Sequence, residues 1–131
     1  MASWNDLKAL VAQRFKVEEL DSNHLKMLFE TGSENRSQLV LVARQFNEST
    51  GEEWVGISSP IGKVGEVPLE AAARMADEVL CGGIVVINDL VCLQHSAPLV
   101  NLDTNEFLRP LNIIVVQADK IERVLVGSDR F

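Results

Sequence analysis

Apolar positions recur along this chain with two periods, and the changes between them mark its elements. Trp4, Leu7, Leu10 or Val11, and Phe15 fall at helical spacing behind Ser3, which can cap with Asp6 three residues on, so a first helix is expected over about 4–15. Asp21-Ser22-Asn23 reads as a polar linker. HLKMLFE, QLVLVARQF and EEWVGISS then read as three strands separated by the turns TGSENRS and NESTG, an antiparallel meander. SPIGKVGEVP, rich in Gly and Pro, reads as a loop. Pro68 suits a first helical turn, and Leu69, Ala72, Ala73, Ala76, Val79 and Leu80 keep one apolar face as far as the glycine pair Gly82-Gly83. IVVIN and LVCLQHSAPL predict a closing hairpin.

The last stretch, LVNLDTNEFLRPLNIIVVQADKIERVLV, predicts a helix with Asp103 and Glu106 as capping pair. Phe107, Leu111, Ile114, Ala118, Ile121 and Leu125 fall on one narrow stripe at 100° per residue, suited to packing on a sheet. Pro110 stands well past the first turn, where it either kinks the helix or marks its true start. The order is therefore α-β-β-β-α-β-β-α, an α+β fold with helices on one face of an antiparallel sheet. Ile113, Val116 and Val124 project away from the stripe. Either a loop or the first helix covers them, or IIVV is strand rather than helix, or they meet a second copy, in which case these three are the expected dimer contacts.

Length and charge narrow the class. At 131 residues the chain is of one-domain size, so 1–131 is read as a single domain. A net charge of −7, with no two basic residues adjacent, opposes binding to nucleic acid or anionic lipid. Its apolar runs fall far short of the roughly 20 residues that span a bilayer, and the amino terminus lacks a signal-peptide pattern. A cytoplasmic protein with Cys81 and Cys92 as reduced thiols is expected.

Candidate chemistry is sparse. Cys92 and His95 are three apart, which on a regular strand puts them on opposite faces and defeats a nucleophile–base contact. Cys81, Cys92, His95 and His24 offer zinc-type ligands without the close pairing of structural zinc sites, so no metal is expected. In GISSPIGKV five residues rather than four separate Gly56 from Gly62, and Val64 stands where a phosphate loop needs Ser or Thr. No cofactor is expected. The acids Glu18, Glu19, Asp21, Glu52 and Glu53 cluster in turns and read as solvated. Trp54 is a candidate partner contact or a core residue, and Trp4, with Leu7 and Val11 on the first helix, is a candidate surface for a partner.

The element order, with SPIG after the third expected strand, LEAAARMADEVL as second helix and IVVINDLVCLQHSAPL as hairpin, resembles the type III secretion chaperone fold. It is similar especially to the broader set of bacterial proteins that share that fold without serving a known secretion system. The closing pattern carries the likeness through Leu102, Asp103, Phe107, Leu108, Ala118, Asp119 and Glu122. The resemblance implies a non-enzymatic homodimer, without cofactor, that binds a segment of another protein on apolar surface. The competing class is a small enzyme or ligand-binding protein with a pocket near Cys92 and His95.

Overall fold

The computed structural model describes residues 3–31 and 36–127, so most of the expected turn TGSENRS lies outside the described residues. Nine elements follow in the order α1 (Trp4–Arg14), β1 (Val17–Asp21), β2 (His24–Glu30), β3 (Ser37–Phe46), β4 (Glu53–Lys63), α2 (Leu69–Ala76), β5 (Gly83–Ile87), β6 (Leu90–Pro98) and α3 (Thr104–Leu125). The strands form one antiparallel sheet in the order β1-β2-β3-β4-β6-β5. The architecture is α+β, as the hydrophobic pattern predicts, with one strand more than expected.

That strand is β1, whose acids Glu18, Glu19 and Asp21 the pattern reads as a solvated loop running into the polar linker. Val17, opposite Met27, is its one half-buried residue, and Glu18 to Asp21 are exposed. An edge strand with four solvated positions has no apolar alternation to betray it. The second correction is β4, which runs on through Pro60 to Lys63 where a loop is expected. A bulge between Pro60 and Gly62 lets Ile61 stay buried while pairing with β6 continues on either side. The third is α2, which ends at Ala76, short of the glycines. Glu78 and Val79 close the exit with bonds to Met75 and Ala76, and Gly82 then turns at φ +90°, where a Cβ would stand 2.9 Å from the Gln94 carbonyl oxygen.

Both expected caps form. The Ser3 hydroxyl accepts from the Asp6 amide, and Asp103 and Glu106 make a reciprocal capping box. Pro110 sits inside α3, and the helix runs on for 22 residues. Its expected stripe is buried: Phe107, Leu111, Ile114, Ala118 and Ile121 meet Val40, Val42, Ile57, Ile61, Val91 and Leu93 in one core cluster. α1 joins the same cluster through Trp4, Leu7 and Val11, and α2 through Ala72.

A seam of polar groups runs through that core where the β3–β4 ladder stops at Leu41 and Ser58. Pro60 has no N–H to offer, so side chains bridge the gap. The Gln38 Nε2 donates to the Pro60 carbonyl at 2.8 Å and to the Ser59 Oγ at 2.7 Å, and the Ser59 hydroxyl donates to the Leu39 carbonyl at 2.6 Å. Next to it Arg36, at the entry of β3, donates from Nε to Asp119 on α3 at 3.0 Å, with Glu122 3.7 Å from its Nη2. Both carboxylates are buried, and the guanidinium offsets part of their desolvation cost.

Two stability changes are expected. Gln38→Met leaves the Pro60 carbonyl without its amide donor and lowers stability by about 1–3 kcal/mol, read as the urea midpoint. Pro110→Ala restores a helical hydrogen bond and raises stability by roughly 1–3 kcal/mol; an unchanged midpoint would show that the ring's own packing offsets its cost.

Candidate protein-binding face

Strand alternation sends every second side chain away from the helices, and among the described residues no helix lies on that second face. The register reads its rows directly. Leu28 stands opposite Leu39, Pro60 opposite Cys92, and Cys92 opposite Val85. Lys26 leads to Leu41, Ser58, Gln94 and Gly83, and a Cβ placed on Gly83 would meet nothing within 4 Å. An apolar row therefore crosses the sheet from β2 to β5 with a mixed row beside it.

The middle of this face is low and its side is raised. Gly56, Ser58 and Pro60 on β4, with Cys92 on β6, are small and buried, closed over by their larger neighbours, Leu39 and Leu41 among them. Gln45 lies over Gly56, where a Cβ would approach its amide nitrogen to 2.6 Å, and accepts a bond from the Ser96 hydroxyl at 3.2 Å. That glycine lets the glutamine span the central strand. Leu28 stands proud at 64% exposure, beside a hollow of about 470 Å3 bordered by Lys16, Glu18, Lys26 and Glu30. Trp54 lies on the same face, half-buried, with its indole N–H donating to Glu52 at 2.8 Å.

The two edges of the sheet differ in the same functional sense. β1 exposes Glu18, Glu19 and Asp21, and charges on an edge discourage another strand from pairing with it. Asp21 is drawn further into the charged state by its bond to the His24 ring, which holds its carboxyl below the usual range. β5, Gly83-Ile84-Val85-Val86-Ile87, carries no charge and no proline, and Val86 is 51% exposed. It is the last strand of the sheet and, among the described residues, pairs on one side only, with β6.

Of Trp4, Leu7, Val11 and Trp54, the residues expected to meet a protein client, Trp54 alone is placed on accessible surface. Trp4, Leu7 and Val11 are a correction: they are core residues, with the Trp4 indole donating to the Ser22 carbonyl at 2.8 Å, and offer nothing to a partner. The amphipathic pattern of α1 identifies its buried face but cannot say what buries it. Val116 and Val124 are indeed exposed, at 48% and 59%, with Ile113 half-buried, but Lys120 falls between them on the outer surface of α3. The two-sided apolar surface of the sheet is signalled in the sequence only by the unbroken run Leu39 to Val42, since a strand with one solvated face alternates.

Cys92 and His95 do fall on opposite faces, opposite Pro60 and Ile57 respectively. Burial pushes the Cys92 thiol up to about 11 and lowers the His95 pKa, so each is held neutral near pH 7. Burial also raises the Cys81 thiol. His95 instead borders a cleft of about 640 Å3 between β6 and the start of α3, with Asn101, Asp103, Glu106 and Arg109. Asp103 and Glu106 are engaged there in the capping box. No group of three or more His, Cys, Asp or Glu among the described residues is arranged to hold a metal ion, and no described helix is long and apolar enough to cross a membrane.

No protein-family model and no curated protein sequence matches the chain.

The Cys92 thiol has a checkable consequence. Its folded pKa lies above the unfolded value, so its contribution to stability is present below about pH 9 and is lost as pH rises towards 11. Iodoacetamide labelling of the folded protein should accordingly be much slower at Cys92 than for a free thiol at pH 8, and should accelerate steeply above pH 9.

Proposed function

We propose that this chain is a non-enzymatic, chaperone-like protein-binding module, working as a homodimer in the cytoplasm and holding an extended segment of another protein. The observation that carries the reading is the contrast between the sheet's two edges: three acids guard β1, whereas β5 is neutral, β-branched and open. Naturally stable sheets blunt an exposed edge, and an edge left unblunted is a template for strand addition. Main-chain pairing supplies affinity with little demand on sequence, which suits a protein that must grip a non-globular stretch. The resemblance to secretion chaperones points the same way.

The segment best matched to β5 is apolar at alternate positions, to continue the surface of Ile84 and Val86 on one side and Val85 and Ile87 on the other. The chain's net charge of −7 favours a segment flanked by basic residues. Catalysis by Cys92 gains no support from its neutral thiol and the placement of His95 on the other face.

Selection of 12-residue peptides from a random library against the whole protein tests this. Extended, alternating apolar peptides with basic flanks are expected, and Val86→Lys, which places a charge on the open edge, should weaken them at least tenfold. Peptides that bind this variant as well as the original protein would overturn strand addition at β5.

A further inference from the structure

We infer that the outer face of α3 is a docking surface separate from β5, and that its occupant is an acidic amphipathic helix of another protein. The face follows from the helical period. At 100° per residue Arg109, Ile113, Val116, Lys120, Arg123 and Val124 fall within about 60° of one line, on the side away from the buried stripe of Phe107 to Ile121. All are exposed except Ile113, which is half-buried.

Charge chooses the occupant. The chain carries −7, yet from Arg109 to Val124 this face holds three cations and no acid, because Asp119 and Glu122 are buried on the other side of the helix beside Arg36. Lys8, Arg36, Arg44 and Arg74 are matched with carboxylates. Arg109, Lys120 and Arg123 make no ion pair among the described residues, and cations left unmatched on an acidic molecule are set to receive an anionic partner. A second copy brings the same cations to the joint and is repelled. An anionic membrane or a nucleic acid meets the acids of the rest of the chain, and neither makes use of the valines: a helix fixed to the sheet by its other face cannot sink into lipid.

Spacing sets the partner's shape. Ile113, Val116, Lys120 and Val124 succeed one another at steps of three and four residues, the seam along which a second helix packs. Arg109 stands about 16 Å from Lys120 along the axis, so the apolar pair Ile113 and Val116 lies between cations. The complementary helix carries apolar residues at every third or fourth position, with Asp or Glu beside them. A hollow of about 230 Å3 next to Val116 gives one apolar side chain a seat; Thr31, Lys120 and Arg123 border it, as does Asp119, held by Arg36.

Fluorescence anisotropy with the full chain and two labelled peptides of about 20 residues tests this: one has leucine at every third or fourth position and glutamate between, and the other has glutamine for each glutamate. The glutamate peptide is expected to bind about tenfold tighter than the glutamine peptide or better, against the overall repulsion of a −7 chain. Lys120→Glu with Arg123→Glu should abolish the preference and leave the urea midpoint unchanged, since both side chains are exposed. Val116→Ser with Val124→Ser should weaken both peptides and keep the preference. Equal binding of the two peptides, or a charge-reversed variant that holds the glutamate peptide as tightly as the original, would overturn the inference. Displacement of that peptide by segments selected for β5 would overturn it too, by returning the contact to that edge. Vesicles of phosphatidylcholine with about one-third phosphatidylserine probe the lipid source: retention of the unaltered protein, lost on charge reversal, would replace the polypeptide by a membrane. A dimer that the two valine substitutions split, seen by light scattering, would give the face to a second copy instead.

Discussion

The long helix α3 lying across the middle of the sheet is the contact on which the rest of the structure depends. Its 22 residues, about 33 Å at helical rise, reach over β3, β4 and β6 and bury the stripe from Phe107 to Ile121. α1 and α2 complete the same layer, so all the helical cover falls on one side. Among the described residues no helix covers the other side, where Lys26, Leu28 and Glu30 stand in water while the small residues at the centre are closed over by their neighbours. The uncovered side of the sheet is a consequence of how the core is closed.

Where α3 meets the sheet the core is not purely apolar. Pro60 interrupts the β3–β4 ladder, and Gln38 with Ser59 replaces the missing backbone bonds. Arg36 reaches from the start of β3 to Asp119 and Glu122. Such groups add little net stability against an apolar alternative of equal shape, but their geometry permits one register only. Slipping β3 by one residue would send Gln38 to the open face and take Arg36 away from the buried carboxylates. The seam thus pins the strand that separates the guarded half of the sheet from the unguarded half.

Edge chemistry, uncovered face and a raised thiol are what distinguish this side of the sheet. Cys92 sits in the floor of the open face with a thiol pushed up to about 11, so it serves there as a small apolar residue. Gly56 admits the bridge from Gln45 to Ser96, which orders one end of that floor. The cleft beside His95 lies at a helix start whose acids are already used as caps, leaving Arg109 as the nearby cation.

Local pattern determined a great deal here. The stripe of α3, its capping box, the Ser3 cap and the inward alternation of β2 and β3 follow from residue spacing, because each rests on contacts within a few positions. Tertiary pairing decided the rest. β1 exists through its bonds to β2, with scarcely an apolar residue of its own, and Pro60 remains in a strand because β6 pairs on both sides of a bulge. Trp4, Leu7 and Val11 have the spacing of a surface stripe or of a core stripe equally, and the sheet beneath α1 made them core. The open face itself could not be read from any single segment: it is assembled from alternate residues of five strands, and strand order with the placement of the helices decides which alternate set remains in water.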